Sequence, residues 1–134
     1  MYRKYIRLST LLLALAVVLG AFGAHGLKEY LPGQELVAYE TGVRYHFYHA
    51  FALLICGILC TISSSKLIKV AGTLFMLGIL LFSGSLYLLT AFKACSVEGF
   101  RWVGAITPLG GASFIGGWLC LFFAVPSMKS TREV

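Results

Sequence analysis

Aspartate is absent from this chain of 134 residues, and its five acidic side chains are all glutamate: Glu29, Glu35, Glu40, Glu98 and Glu133. That removes paired-aspartate catalysis and the aspartate-rich loops that bind calcium. Charge of either sign is scarce. Charged residues make up 12% of the chain, about half the share usual in a soluble domain. Proline occurs three times, and only Pro108 falls inside an apolar run. There is no HExxH, no G-x-S-x-G and no phosphate-binding glycine loop, so zinc peptidase, serine hydrolase and P-loop chemistry have no foothold. The four cysteines give no disulfide framework. Cys56, Cys60 and Cys120 lie in apolar runs and only Cys95 in a connector, which reads as small apolar packing.

What the chain has instead is hydrophobic length. Apolar residues are 59% of the total and mean hydropathy is +0.87. They gather in four runs, 8–27, 45–62, 68–91 and 104–125, whose one charged side chain is Lys69 at the start of the third. At about 1.5 Å per residue, roughly 20 apolar residues cross a hydrocarbon core of about 30 Å. The fold class expected is therefore an all-α integral membrane protein. It is a four-transmembrane-helix bundle forming one membrane domain over 1–134. The net charge of +6 is spread over the connectors and forms no patch, which argues against nucleic acid. Arg3, Lys4, Arg7, Lys66, Lys69, Lys129 and Arg132 flank one side of the predicted spans, and Lys28, Arg44, Lys93 and Arg101 the other. Seven against four predicts that both termini face the cytoplasm, with connectors 28–44 and 92–103 outside. The basic start followed by an apolar run also admits a signal peptide, but the run is long for a signal core and reads as a first permanent span.

Helices in lipid associate through close contact, so small residues mark their interfaces. Ala16, Gly20 and Ala24 recur every fourth residue in span one, and Ala52, Cys56 and Cys60 do so in span two. Span three has Gly72, Gly78 and Ser83-Gly84-Ser85, and span four has Gly110-Gly111, Ala112, Ser113 and Gly116-Gly117. These faces predict tight packing within the chain and, with so much glycine in so short a chain, the pairing of subunits into a homo-oligomer. Pro108 is expected in the first turn of span four, and Pro126 to stop it. In the long outer connector, Leu36, Tyr39 or Glu40, Val43 and Phe47 recur at helical spacing. Glu40 and Arg44 stand four apart, suited to an ion pair. A short outer amphipathic interfacial helix is expected over 34–44. Tyr39, Tyr45, Tyr48, Phe100 and Trp102 then form an outer aromatic belt, with Tyr2 and Tyr5 the inner one.

Polar residues concentrate toward the same outer ends: His25, His46, His49, Tyr45, Ser83, Ser85, Tyr87 and Thr107. Such groups need partners at membrane depth. Three readings stay open. The cluster ties the helices together; or it lines a shallow pocket for a lipid head group, a quinone-like ring or another small amphiphile, with Glu40 and Arg44 at its edge; or the three histidines relay protons or hold a metal. No fourth ligand is placed for a metal, so no metal site and no cofactor is expected. The chain has no inverted halves and no mid-membrane charge, so a pore or proton pathway requires several subunits.

Four blocks carry a resemblance that runs across nearly the whole chain. They are residues 20–26 (GAFGAHG), 45–50 (YHFYHA), 81–87 (LFSGSLY) and 106–111 (ITPLGG). In content and order they resemble the signatures of the YgdD/YwdK-like family of small bacterial membrane proteins. The resemblance implies a four-span protein of the bacterial inner membrane and brings no established activity. Bacterial members often have Gln at the position of His46, which speaks against a metal site needing all three imidazoles. The functional expectation is a small non-enzymatic membrane protein whose outer cluster binds a lipid, a small amphiphile or a partner helix of another membrane protein. The alternative is an oligomeric small channel or proton pathway.

Overall fold

A computed structural model of the chain describes residues 2–125. Helix α1, Tyr2–Phe22, continues through a π-helical turn, Gly23–Leu27. Helix α2 covers Gly33–Ile62. Helix α3, Lys66–Gly78, passes through a second π-helical turn, Ile79–Ser83, into α4, Gly84–Ala94. A 3-10 turn, Arg101–Ala105, leads into α5, Thr107–Ala124, with Pro108 in its first turn. No strand occurs among the described residues. The result is four continuous rods of 26, 30, 29 and 24 residues, each long and apolar enough to cross a membrane. Helices suit that setting because every rod satisfies its backbone groups internally, where lipid offers no donor or acceptor.

Helix α2 is the hub. It packs on α1, α3 and α4, while α5 lies against α3 and the second π turn. The Tyr5 hydroxyl donates to the Lys69 carbonyl at 2.8 Å, joining the start of α1 to the start of α3. The main core gathers Leu53, Cys56, Ile68, Phe75 and Phe114, and a smaller cluster of Leu27, Tyr39 and Val43 sits near the 28–32 connector. Between α2 and α3 the chain turns in three serines. Ser63 is extended (φ −143°, ψ 137°) and its amide still reaches the Leu59 carbonyl at 2.9 Å.

Small residues set how closely these rods approach. Gly110 faces the Phe82 backbone so tightly that a Cβ would overlap its amide nitrogen, and Gly78 receives the Phe114 ring in the same way. Ala16 is fully buried and Gly20 rests against Val43 of α2, whereas Ala24, the third member of that stripe, is exposed. Most of the glycine in these helices is thus taken up inside the chain.

Three details depart from the sequence reading. Segment 34–44 is helical but not separate: it forms the first turns of α2 and runs unbroken past Arg44. A 30-residue helix is about 45 Å long, roughly 15 Å more than the hydrocarbon core. The excess length carries Glu35, Glu40 and Arg44 at its start. Glu40 and Arg44 are both exposed and form no ion pair. Among the described residues the paired acid is Glu35, 2.5 Å from Lys93 Nζ. Tyr5 and Tyr39 are buried rather than members of an aromatic belt, because each hydroxyl donates to a backbone carbonyl, of Lys69 and Leu19 respectively. Pro126, Lys129 and Arg132 lie outside the described residues.

Gly110→Ala is expected to lower stability by about 1–3 kcal/mol, the scale of overpacking against backbone that cannot move aside. Gly33→Ala meets nothing within 4 Å and is expected to be neutral. Thermal unfolding of both variants in mild detergent checks the contrast.

Candidate functional site

The polar residues singled out from the sequence divide into two groups by what they touch. One group ties helices together. Ser83, fully buried in the second π turn, donates to the Gly42 carbonyl at 2.7 Å. His46, 2% exposed, places Nδ1 3.1 Å from the Tyr87 hydroxyl. Tyr87 in turn packs on Tyr39, ring centroids 5.3 Å apart, and Tyr39 donates to the Leu19 carbonyl of α1 at 2.6 Å. Ser85 donates to the Phe82 carbonyl at 2.9 Å and meets the Thr107 hydroxyl at 2.6 Å, joining α4 to α5. With the Ser85 proton committed to Phe82, Thr107 is the donor of that last bond. His46 Nε2 has no hydrogen-bond partner among the described residues.

The π turn positions these groups. The Gly84 amide bonds the Ile79 carbonyl five residues back, one more than an α-helix allows. An extra residue in the turn rotates the side chains beyond it by about 100° relative to those before it. Phe75 and Phe82 on one side, and Ser85 and Tyr87 on the other, thereby reach different neighbours from one continuous rod.

The other group is aromatic. Tyr45 and His49 stand four apart on α2, and Phe114 and Trp118 four apart on α5. The two pairs face each other. His49 stacks on Phe114 with centroids 3.4 Å apart and planes 8° from parallel. Its Nδ1–H donates to the Tyr45 carbonyl at 2.8 Å, and its Nε2 accepts the Trp118 indole N–H at 3.2 Å. A ring that donates through one nitrogen and accepts through the other is neutral, with its proton on Nδ1. His49 itself is 4% exposed, but its flanking neighbours are not enclosed: Tyr45 is 37% exposed and Trp118 46%. Tyr45 also lies on Phe82, centroids 4.7 Å apart. The surface is an aromatic panel with two polar edges, opening on the outside of the helices.

Some predicted members stand apart. His25, Glu40 and Arg44 are exposed and join neither group. Among the described residues no three of His, Cys and Glu gather closely enough to hold a metal ion. Conversely, the sequence reading missed Trp118, Phe114, Phe82 and Phe75. The signal was present as two i, i+4 aromatic pairs, Tyr45/His49 and Phe114/Trp118. It was hidden because aromatic residues at helical spacing in an apolar run look like ordinary core. Glu35 and Lys93 were also missed as a pair, being 58 residues apart. Glu35 lies in the first turn of α2, where the hydrogen bond from Lys93 holds its carboxyl below the usual glutamate range. A depressed acid contributes stability above its unfolded pKa, so this pairing is present at neutral pH and fades as pH falls below about 4.

The tautomer is directly measurable. Nitrogen-15 spectra of the protein in bilayers are expected to show His49 protonated on Nδ1 alone, with Trp118→Phe shifting the Nε2 resonance. A proton on Nε2 in the unsubstituted protein would contradict the geometry.

Comparison with known proteins gives the chain its relatives. Residues 19–111 match the family described as "Protein of unknown function (DUF423)". The chain is 45% identical over 123 residues to the UPF0382 membrane protein YwdK of Bacillus subtilis, covering 91% of this chain and 95% of that one. It is 40% identical over 122 residues to a UPF0382 membrane protein of Staphylococcus haemolyticus, covering 91% and 94%. To a UPF0382 membrane protein of Haemophilus influenzae it is 39% identical over 130 residues, covering 97% and 99%. No solved structure matches. With four helices able to span a membrane and relatives of matching length named as membrane proteins, the chain belongs to this DUF423 family of membrane proteins.

Proposed function

We propose that the protein is a non-enzymatic membrane protein that holds a lipid or another small amphiphile against the aromatic panel of Tyr45, His49, Phe114 and Trp118. The observation that carries this reading is the exposure of Tyr45 and Trp118 on either side of a buried, fully hydrogen-bonded His49. An apolar body would stack on the rings, and the Tyr45 hydroxyl, which makes no hydrogen bond among the described residues, would meet a polar end. The remaining polar ties support the same division: Ser83, Ser85 and Thr107 engage one another or backbone carbonyls, and Tyr87 engages His46, so these side chains serve the packing of the helices.

Placement in the inner membrane with both termini cytoplasmic belongs to this proposal and rests on the seven-to-four distribution of basic residues. So does a homo-oligomer, which the internal use of Gly78 and Gly110 leaves with less support than the sequence suggested. A proton pathway through the histidines is supported less again, because both ring nitrogens of His49 are engaged.

Native mass spectrometry of the protein released from nanodiscs of bacterial lipid tests the reading. Unsubstituted protein is expected to retain an amphiphile that Tyr45→Ala loses by about five-fold, near 1 kcal/mol. Equal retention by both would leave the panel as packing only.

A further inference from the structure

At the end of the rods that carries the 28–32 connector, the 95–100 loop borders a half-open cavity of about 610 Å³. Its floor is apolar: Phe92 and Phe100 stack with centroids 4.1 Å apart, beside Leu89. Its rim carries charge of both signs, Lys93 and Arg101 against Glu98. The loop holds its shape through left-handed backbone at Ser96 (φ 54°) and Gly99 (φ 95°), and through a hydrogen bond from the Val97 amide to the Phe92 carbonyl at 2.8 Å. A second cavity of about 250 Å³, lined by Leu86, Leu89 and Ala38, adjoins it across Lys93, which is anchored there by Glu35.

The rim charges are of both signs, and two of the three are unpaired. Among the described residues the one ion pair is Lys93–Glu35, so Arg101 and Glu98 border the same cavity without engaging each other. A ligand that meets both must itself carry both signs. A site beside the ends of membrane-spanning helices, with an apolar groove leading off along Leu86 and Leu89, narrows the class further.

We propose that this cavity binds the head group of a zwitterionic aminophospholipid, phosphatidylethanolamine in type. The phosphate would be taken by the planar fork of Arg101, which matches phosphate oxygens in pairs, with the remaining Lys93 donors beside it. The primary ammonium would donate to Glu98. A choline head group has no N–H to give that carboxylate, so the site discriminates between two lipids of the same net charge. The first carbons of the acyl chains would follow the smaller cavity. This site shares no residue with the aromatic panel and does not depend on it.

The full-length protein is exchanged into nanodiscs of dioleoyl phosphatidylcholine containing 10 mol% dioleoyl phosphatidylethanolamine, and the lipids that remain bound are counted by native mass spectrometry. The expected result is enrichment of phosphatidylethanolamine by about five-fold over its share, the scale of one exposed charge-assisted contact. Glu98→Ala, which removes the acceptor, is expected to return the ratio to that of the bulk while leaving bound phosphatidylcholine unchanged. Arg101→Gln is expected to lower retention of both lipids. Both side chains are exposed, so helix content and melting temperature should match the unsubstituted protein in each case. Tyr45→Ala, which empties the aromatic panel, should leave the enrichment intact. Retention of the two lipids in bulk proportion by the unsubstituted protein would overturn the proposal, as would an enrichment that survives Glu98→Ala.

Discussion

Inside a bilayer, apolar side chains gain almost nothing by leaving lipid for protein, so helices stay together only where their surfaces come very close. Gly110 against the Phe82 backbone is the tightest expression of that constraint here, and much of the architecture follows from it. It lets α5 settle onto the second π turn, which brings Phe114 over Gly78 and Trp118 within reach of His49. It also holds Thr107 beside Ser85 at the end of the same helix. A methyl group at position 110 would push α5 outward and loosen each of these contacts together.

The second constraint is polar. A buried hydroxyl or imidazole in lipid is costly unless matched, and this chain matches its groups in two different ways. Tyr39 and Ser83 donate to backbone carbonyls of α1 and α2 respectively, which fixes register between helices, while Ser85 donates to the preceding turn of its own rod and meets the Thr107 hydroxyl of α5. His49 instead is locked between a carbonyl of its own helix and an indole of another. The first kind of contact turns inward. The second sits directly beneath partly exposed rings, and that difference is what separates a scaffold from a surface able to hold a ligand.

The helical class, the four spans and the polar composition of the cluster could be read from the chain because each follows from local pattern: apolar runs of bilayer length, and polar side chains at matching depth. The π turns at Gly23–Leu27 and Ile79–Ser83 could not. Glycines lie in or beside both turns but are scattered through the other helices as well, so they did not mark an inserted residue, and the second turn decides which face Ser85 and Tyr87 present. The continuity of α2 was obscured for a related reason. A charged, amphipathic 34–44 segment looks the same in sequence whether it lies along the interface or forms the start of a longer rod. Pairings across the chain, such as Trp118 with His49 or Lys93 with Glu35, need the packed helices before they can be seen.

The central claim is that the inward-facing polar groups stabilise the fold by engaging one another. The most direct test is a double-mutant cycle on the His46 and Tyr87 pair, whose atoms lie 3.1 Å apart across α2 and α4. Unfolding free energies of His46→Leu, Tyr87→Phe and the double variant would be measured in lipid bicelles. The account expects a favourable coupling of about 0.5–1.5 kcal/mol, in the range of interhelical hydrogen bonds in membranes. Strict additivity of the two substitutions would contradict it.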